Sequence, residues 1–260
     1  MSATLRIASL VPSVTELLVA LGLGPHLVAR TGFCIHPAAA LADVPKVGGT
    51  KDVRLNALRQ LAPSHVVVNV DENRLETVGA VRLWGVQVVV THPCSPQDVH
   101  ALVAQLVEAF APGSGIEAEV RQRAAAITAE LSAELALTAP KGDVPVPVLY
   151  LVWRSPWMTV ARDTYISRLL ACIGWHTRPD AAGGPHGAAR YPAVLGNEPW
   201  LTEVEQVLLS SEPYAFTQAH VAEAQALCPR ARVRLVDGEA LSWYGVRTAP
   251  GLRYLRQLLG

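Results

Sequence analysis

The sequence predicts an α/β protein with mainly parallel sheets, and three observations carry that prediction. Short runs of apolar, β-branched residues alternate with helix-period segments, which is how parallel strands and their crossover helices read. Residues 116–137 contain no Gly or Pro and consist mostly of Ala, Glu, Leu, Arg and Gln, so they form one helix of roughly six turns. Half of the 260 residues are hydrophobic and 17% are charged, a globular balance in a chain long enough for two lobes with cores of their own.

The elements follow in order. Residues 6–11 form a strand, and Ser13-Val14-Thr15-Glu16 reads as a capping box at the head of a helix that Gly24-Pro25 stops. Strands are expected at residues 26–29, 66–68 and 86–90, with helices at 55–61 and 75–84 between them. Ser95-Pro96-Gln97-Asp98 opens another helix, with serine as N-cap and proline at the first helical position. Ala111-Pro112-Gly113-Ser114-Gly115 breaks the chain before the long helix, and Thr138-Ala139-Pro140-Lys141-Gly142-Asp143 ends that helix. Strands then recur near residues 146–152, 206–209 and 233–236, alternating with helices at 163–172, 217–227 and 249–259. Two Rossmann-like α/β lobes joined by one long α-helix is the economical architecture: residues 1–112, a bridging segment 113–140, and residues 141–260.

In open α/β sheets ligands sit beyond the carboxyl ends of the strands, so the residues after each strand are the candidates. Three strands of the second lobe are followed by Trp153-Arg154-Ser155-Pro156-Trp157-Met158, by Ser210-Ser211-Glu212-Pro213-Tyr214, and by the segment holding Trp243, Tyr244 and Arg247. Three of the six tryptophans therefore fall on one predicted edge of one lobe. Rigid aromatic faces with polar handles between them suit a flat, partly apolar ligand, with Arg154 and Arg247 supplying charge or stacking. The alternative is that these tryptophans close the end of a core while the arginines pair with Glu212, Asp237 or Glu239.

The first lobe offers Phe33, Cys34 and His36 after its second strand, Glu72 after its third, and His92 and Cys94 after its fourth. In extended chain Cys34 and His36 point to one side, as do His92 and Cys94, and thiolate with imidazole would suit zinc or a similar metal. Neither pair has a recognised ligand spacing. Cysteine nucleophile chemistry with a histidine base is a further alternative. The chain has no nucleophile elbow, phosphate loop or His-Glu-x-x-His.

With Ser9-Leu10-Val11-Pro12-Ser13-Val14-Thr15-Glu16-Leu17, then Val47-Gly48-Gly49, then a strand after Leu61-Ala62-Pro63, the long helix and a second α/β lobe, the chain resembles the helical-backbone metal receptors. These are class III substrate-binding proteins for cobalamin, siderophores, haem and metal ions, and the cobalamin-binding members are nearest in pattern. The resemblance implies a ligand-binding protein of the ABC-transporter substrate-binding type, holding a corrinoid, siderophore or haem in an interlobe cleft hinged on the long helix. Trp153, Trp157, Tyr214, Trp243 and Tyr244 with Arg154 and Arg247 would then line one side, and Phe33, Cys34, His36 and Glu72 the other. No cofactor is required beyond such a bound chelate. Two departures stand out. Where exported cobalamin binders place aromatics, this chain has Phe33, Thr50 and Asn69. Where exported members carry a glutamate that docks on the membrane permease, it has Asn56, which argues against permease docking through that contact.

A different class, a cytosolic enzyme using the same cleft, would need a positioned acid, base or nucleophile. Equal numbers of basic and acidic residues, 22 of each, and no block of like charge argue against a nucleic-acid partner. Pro12 and Glu16 interrupt the apolar N-terminal stretch, which argues against membrane insertion and a signal sequence. With four scattered cysteines in addition, the expected location is cytoplasmic, a periplasmic one requiring a leader upstream of Met1.

Overall fold

The computed structural model describes residues 4–140, 142 and 144–259. They form two compact units. The first takes the residues up to Pro93 with Gln97–Glu130 and Tyr244–Val246; the second takes Cys94–Pro96, Leu131–Trp243 and the residues from Arg247 on.

In the first unit β1 (Ile7–Ser9) leads into α1 (Pro12–Ala20), followed by β2 (Leu27–Arg30), α2 (Leu55–Gln60), β3 (His65–Asn69), α3 (Leu75–Arg82), β4 (Gln87–Thr91) and α4 (Asp98–Ser114). The four strands form one parallel sheet in the order β2-β1-β3-β4. Val66, Val67 and Val68 of the inner strand β3 are at most 1% exposed. A strand covered on both faces reads as an unbroken apolar run, as this one does.

Three local expectations change. Pro12 occupies the first turn of α1 and Val11 is its N-cap, with no side-chain cap, so the Ser13 capping box does not form. The Thr15 hydroxyl is spent on the Val11 carbonyl at 2.9 Å and meets Ser9 Oγ at 2.8 Å. Ser95 and Pro96 are buried with the second unit, and α4 starts beyond them at Asp98 without a side-chain cap. Pro112 does not break α4. Burial of Phe110, Ala111 and Ser114 carries the helix past it, and Gly115, left-handed at φ 74°, ends it.

Helix α5 (Glu117–Leu137) is the long uninterrupted helix, one residue shorter than expected. Lys141 and Asp143 of the breaker cluster after it lie outside the described residues.

The second unit runs β5 (Val146–Leu151), β6 (Trp157–Met158), α6 (Tyr165–Ala171), β7 (Trp175–Thr177), β8 (Ala193–Val194), β9 (Gln206–Ser210), α7 (Val221–Leu227), β10 (Arg232–Val236), α8 (Gly238–Ser242) and α9 (Thr248–Leu258). Its main sheet is parallel in the order β10-β9-β5-β7, and β6 pairs antiparallel with β8. Leu149, Tyr150 and Leu151 of β5 and Val207, Leu208 and Leu209 of β9 are fully buried. The buried Tyr150 hydroxyl donates to Ser210 Oγ at 2.9 Å. The sequence expectations missed β7 and the β6/β8 pair, which are too short to show a period, and α8, a single turn capped by Asp237.

The glycine pair after Val47 tests the backbone. Gly48 has φ 109°, and a Cβ there would run into the Asp52 carbonyl oxygen, whereas Gly85, φ 74°, has open space around it. Gly85→Ala is expected to cost about 1–2 kcal/mol for the left-handed conformation alone. Gly48→Ala should lower the urea midpoint at least twice as far, because strain and collision add.

Candidate functional site

The carboxyl ends of β5 and β9 carry a cluster of rings. Phe216 stands over the core formed by Leu149, Leu151, Val207 and Leu209. Trp157 stacks on it at 5.9 Å with planes 9° apart, and Tyr214 tilts against it at 4.7 Å. Trp153 meets Tyr214 edge-on at 5.6 Å. These are offset-stacked and edge-to-face geometries that aromatic quadrupoles favour. Trp153 keeps 41% of its surface exposed and Phe216 only 6%. The cluster thus grades from core to solvent.

His220 fixes the far side. The Thr217 backbone N–H donates to His220 Nδ1 at 3.0 Å within a capping box, so in the neutral ring Nε2 carries the hydrogen and donates to the Tyr214 oxygen at 3.1 Å. The Tyr214 ring is therefore held by the backbone turn through an imidazole, besides its ring contacts.

The two arginines share one arrangement. Arg154 donates from Nε to Glu223 at 2.7 Å, donates to Ser155 Oγ, and lies 4.6 Å over the Trp157 ring. Arg247 donates to Glu239 at 2.7 Å and lies 5.0 Å over the Trp243 ring. Trp243 itself is 7% exposed, and its indole N–H donates to Glu212 Oε1 at 2.5 Å, beside the Ser242 hydroxyl at 2.8 Å. Burial pushes the Glu212 carboxyl above its ordinary range, and Asp237 and Glu239 push the same way against those two hydrogen bonds.

In the first unit the exits of β3 and β4 form a polar brace. Asn69 Oδ1 accepts the Asp71 N–H at 2.7 Å, and its Nδ2 donates at 2.9 Å to the hydroxyl of Tyr244, which donates to Glu72 at 3.1 Å. Burial holds the Tyr244 phenol well above its usual range. Asn73 accepts the Asn69 N–H and ties Leu10 and Thr50 through its own amide. Phe33 is 62% exposed on the loop after β2.

Of the residues singled out in the sequence, Trp153, Arg154, Trp157 and Tyr214 come together at the β5 and β9 exits, and Trp243 with Arg247 lies at the β10 exit of the same unit. Tyr244 belongs to the first unit with Glu72. The proposed metal ligands do not gather: among the described residues no three His, Cys, Asp or Glu side chains converge to hold an ion. Cys34 is fully buried, 3.1 Å from Thr31 Oγ1, and desolvation raises its thiol. Half-buried His36 lies just beyond it. His92 pairs with Asp71 at 3.4 Å, while Cys94 falls in the second unit and accepts from Arg190 at 3.5 Å. Phe216, His220 and Glu223 were missed, whereas Glu239 had been named as a partner for the arginines and Arg247 takes it. Only the position of the missed three after β9 could have pointed to them.

No family profile matches the sequence. The vitamin B12-binding protein of Photorhabdus laumondii subsp. laumondii is 25% identical over 177 residues, 66% of this chain, and the chain spans 60% of that relative's length. The periplasmic vitamin B12-binding protein of Vibrio cholerae superposes with a TM-score of 0.78 at 19% identity, covering 98% of this chain and 96% of that one. The periplasmic haem-binding proteins of Roseiflexus sp. RS-1 and Vibrio cholerae follow at 0.74 and 0.72, with 20% and 21% identity and 97–98% coverage of each chain. The chain has the fold of the periplasmic B12- and haem-binding proteins. The resemblance to the helical-backbone metal receptors agrees with this.

These comparisons overturn the cytoplasmic expectation, since the structural neighbours are named as periplasmic proteins. The cysteines misled for a physical reason. Burial raises the thiols of Cys34, Cys172 and Cys228, and a thiol kept protonated oxidises slowly, so unpaired cysteines do not require a reducing compartment. Among the described residues no helix is long and apolar enough to cross a membrane.

Two measurements follow from the site's energetics. Trp243→Ala, which empties a buried and hydrogen-bonded site, is expected to cost about 3–5 kcal/mol in chemical denaturation. Trp153→Ala, at an exposed ring, should stay within about 1 kcal/mol. Glu212 has a folded pKa above its unfolded one, so its contribution is fully present below the unfolded pKa and is lost as pH rises through the folded value. Glu212→Gln keeps the acceptor for Trp243 without the charge. It should therefore flatten the stability profile above the ordinary glutamate range, about pH 4, and be no less stable than wild type once Glu212 is ionised.

Proposed function

We propose that the chain is a ligand-binding protein of the ABC-transporter substrate-binding type, and that it holds a metal chelate, a corrinoid or otherwise a haem or siderophore. The single observation that carries this is the graded ring cluster of Trp153, Tyr214, Trp157 and Phe216 at the strand exits of the second unit. Rigid rings packed on a core at one edge and open at the other suit the face of a macrocycle. The fold neighbours named for B12 and haem support the same ligand class. On the first unit, exposed Phe33 and the braced carboxylate of Glu72 are the proposed contacts.

Binding without catalysis is part of the proposal, supported by relatives that are named as binding proteins. Burial is the largest raising influence on Tyr150, Tyr165, Tyr244 and Cys228, as expected of interior packing groups. Coupling to a permease would not use the glutamate contact of exported members, because exposed Asn56 stands on α2 in its place.

Titration of the purified protein with cyanocobalamin, dicyanocobinamide and ferric protoporphyrin, followed by tryptophan quenching and absorption, tests the proposal. At least one chelate should bind, and Trp153→Ala should weaken it by on the order of tenfold or more, as for a central anchor, with folding nearly intact. No binding, or unchanged affinity in Trp153→Ala and Tyr214→Ala together, would remove the proposal.

A further inference from the structure

Two arginines lie over tryptophan rings at the strand exits of the second unit, Arg154 on the ring cluster and Arg247 at the β10 exit, and both are engaged. Arg154 and Arg247 each hold a glutamate at 2.7 Å while lying over a tryptophan ring. Glu223 comes from α7 and Glu239 from α8, so different elements have supplied the same partner to both. The neighbouring carboxylates add to the balance. Glu212 lies at the β9 exit, and Asp237 caps α8 by accepting the Ala240 N–H at 3.1 Å. Around the two guanidinium groups the β5, β9 and β10 exits thus bring Glu212, Glu223, Asp237 and Glu239.

A carboxylate on a ligand's rim only accepts hydrogen bonds, and its strongest partner is the open fork of an arginine. Here Glu223 or Glu239 already occupies that fork, so a rim carboxylate meets its repulsion and has no hydrogen to donate to it. A carboxamide carries an acceptor and two donors. It can bridge an arginine–glutamate pair without repulsion, its oxygen turned to the guanidinium and its NH2 donating to the glutamate. The ion pairs are partly open to such a group: the Arg154 and Glu223 side chains are 31% and 48% exposed, those of Arg247 and Glu239 25% and 26%.

We infer that Glu223 and Glu239 set the charge preference of the wall, so that it selects a chelate with a carboxamide rim over one with a carboxylate rim. This rests on the chelate-binding proposal and adds what that proposal leaves open, the class of rim.

Dicyanocobinamide, rimmed by amides, and ferric protoporphyrin, rimmed by two carboxylates, are the probes, measured on wild type and on Glu223→Gln/Glu239→Gln. Wild type should favour the cobinamide. In the double variant the guanidinium groups lose their counter-charges, which should raise protoporphyrin affinity by on the order of tenfold, the scale of one charge-assisted hydrogen bond, and shrink the preference accordingly. Damage to folding does not produce a gain of affinity, so that gain separates selection from a structural role. A wild type that prefers protoporphyrin, or a double variant with an unchanged preference, would overturn the inference and leave the chelate-binding proposal standing. If neither probe binds wild type, this inference fails, and the chelate-binding proposal falls with it unless cyanocobalamin binds.

Discussion

A parallel strand buried on both faces satisfies its backbone through the ladder and has no room along its length for a charged side chain. In both units that constraint decides where polar chemistry can occur. Val66 to Val68 in β3 and Leu149 to Leu151 in β5 are closed to solvent, so the first residues able to meet a ligand are those just past the last ladder hydrogen bond. Glu72 stands at that position in the first unit, just beyond Asn69 at the end of β3, and Trp153, Arg154 and Glu212 in the second.

The two exits solve the problem of leaving a buried sheet differently. In the first unit amides do the work: Asn69 and Asn73 satisfy backbone groups at the turn, and Tyr244 closes the network over Glu72. In the second, rings do it, with Phe216 covering the core and each ring outward resting on the one beneath. Amide bracing gives a defined polar rim, and ring stacking gives apolar area with little loss of order.

The sheets and the long helix were legible in the sequence because their signals are long: β-branched runs and twenty-odd residues without a breaker. The helix starts were less so. Pro12 and Ser95-Pro96 both look like start signals, yet only Pro12 lies in a first turn, because burial with the other unit claims Ser95 and Pro96. Candidate site residues were legible by position after a strand, and Trp153, Arg154, Trp157 and Tyr214 do gather. Which unit Tyr244 would join, and that Arg154 would choose Glu223, depends on contacts tens of residues apart that no local pattern records.

The capped imidazole of His220 has a kinetic consequence. Because a backbone turn holds Tyr214 through that ring, and Trp153 and Phe216 lean on Tyr214 in turn, the wall needs little reordering when something settles on it. Ordering costs already met in the free protein are not charged again at encounter. Competing ligands of similar size should then arrive at much the same rate, and discrimination among them would appear as differences in how long each one stays.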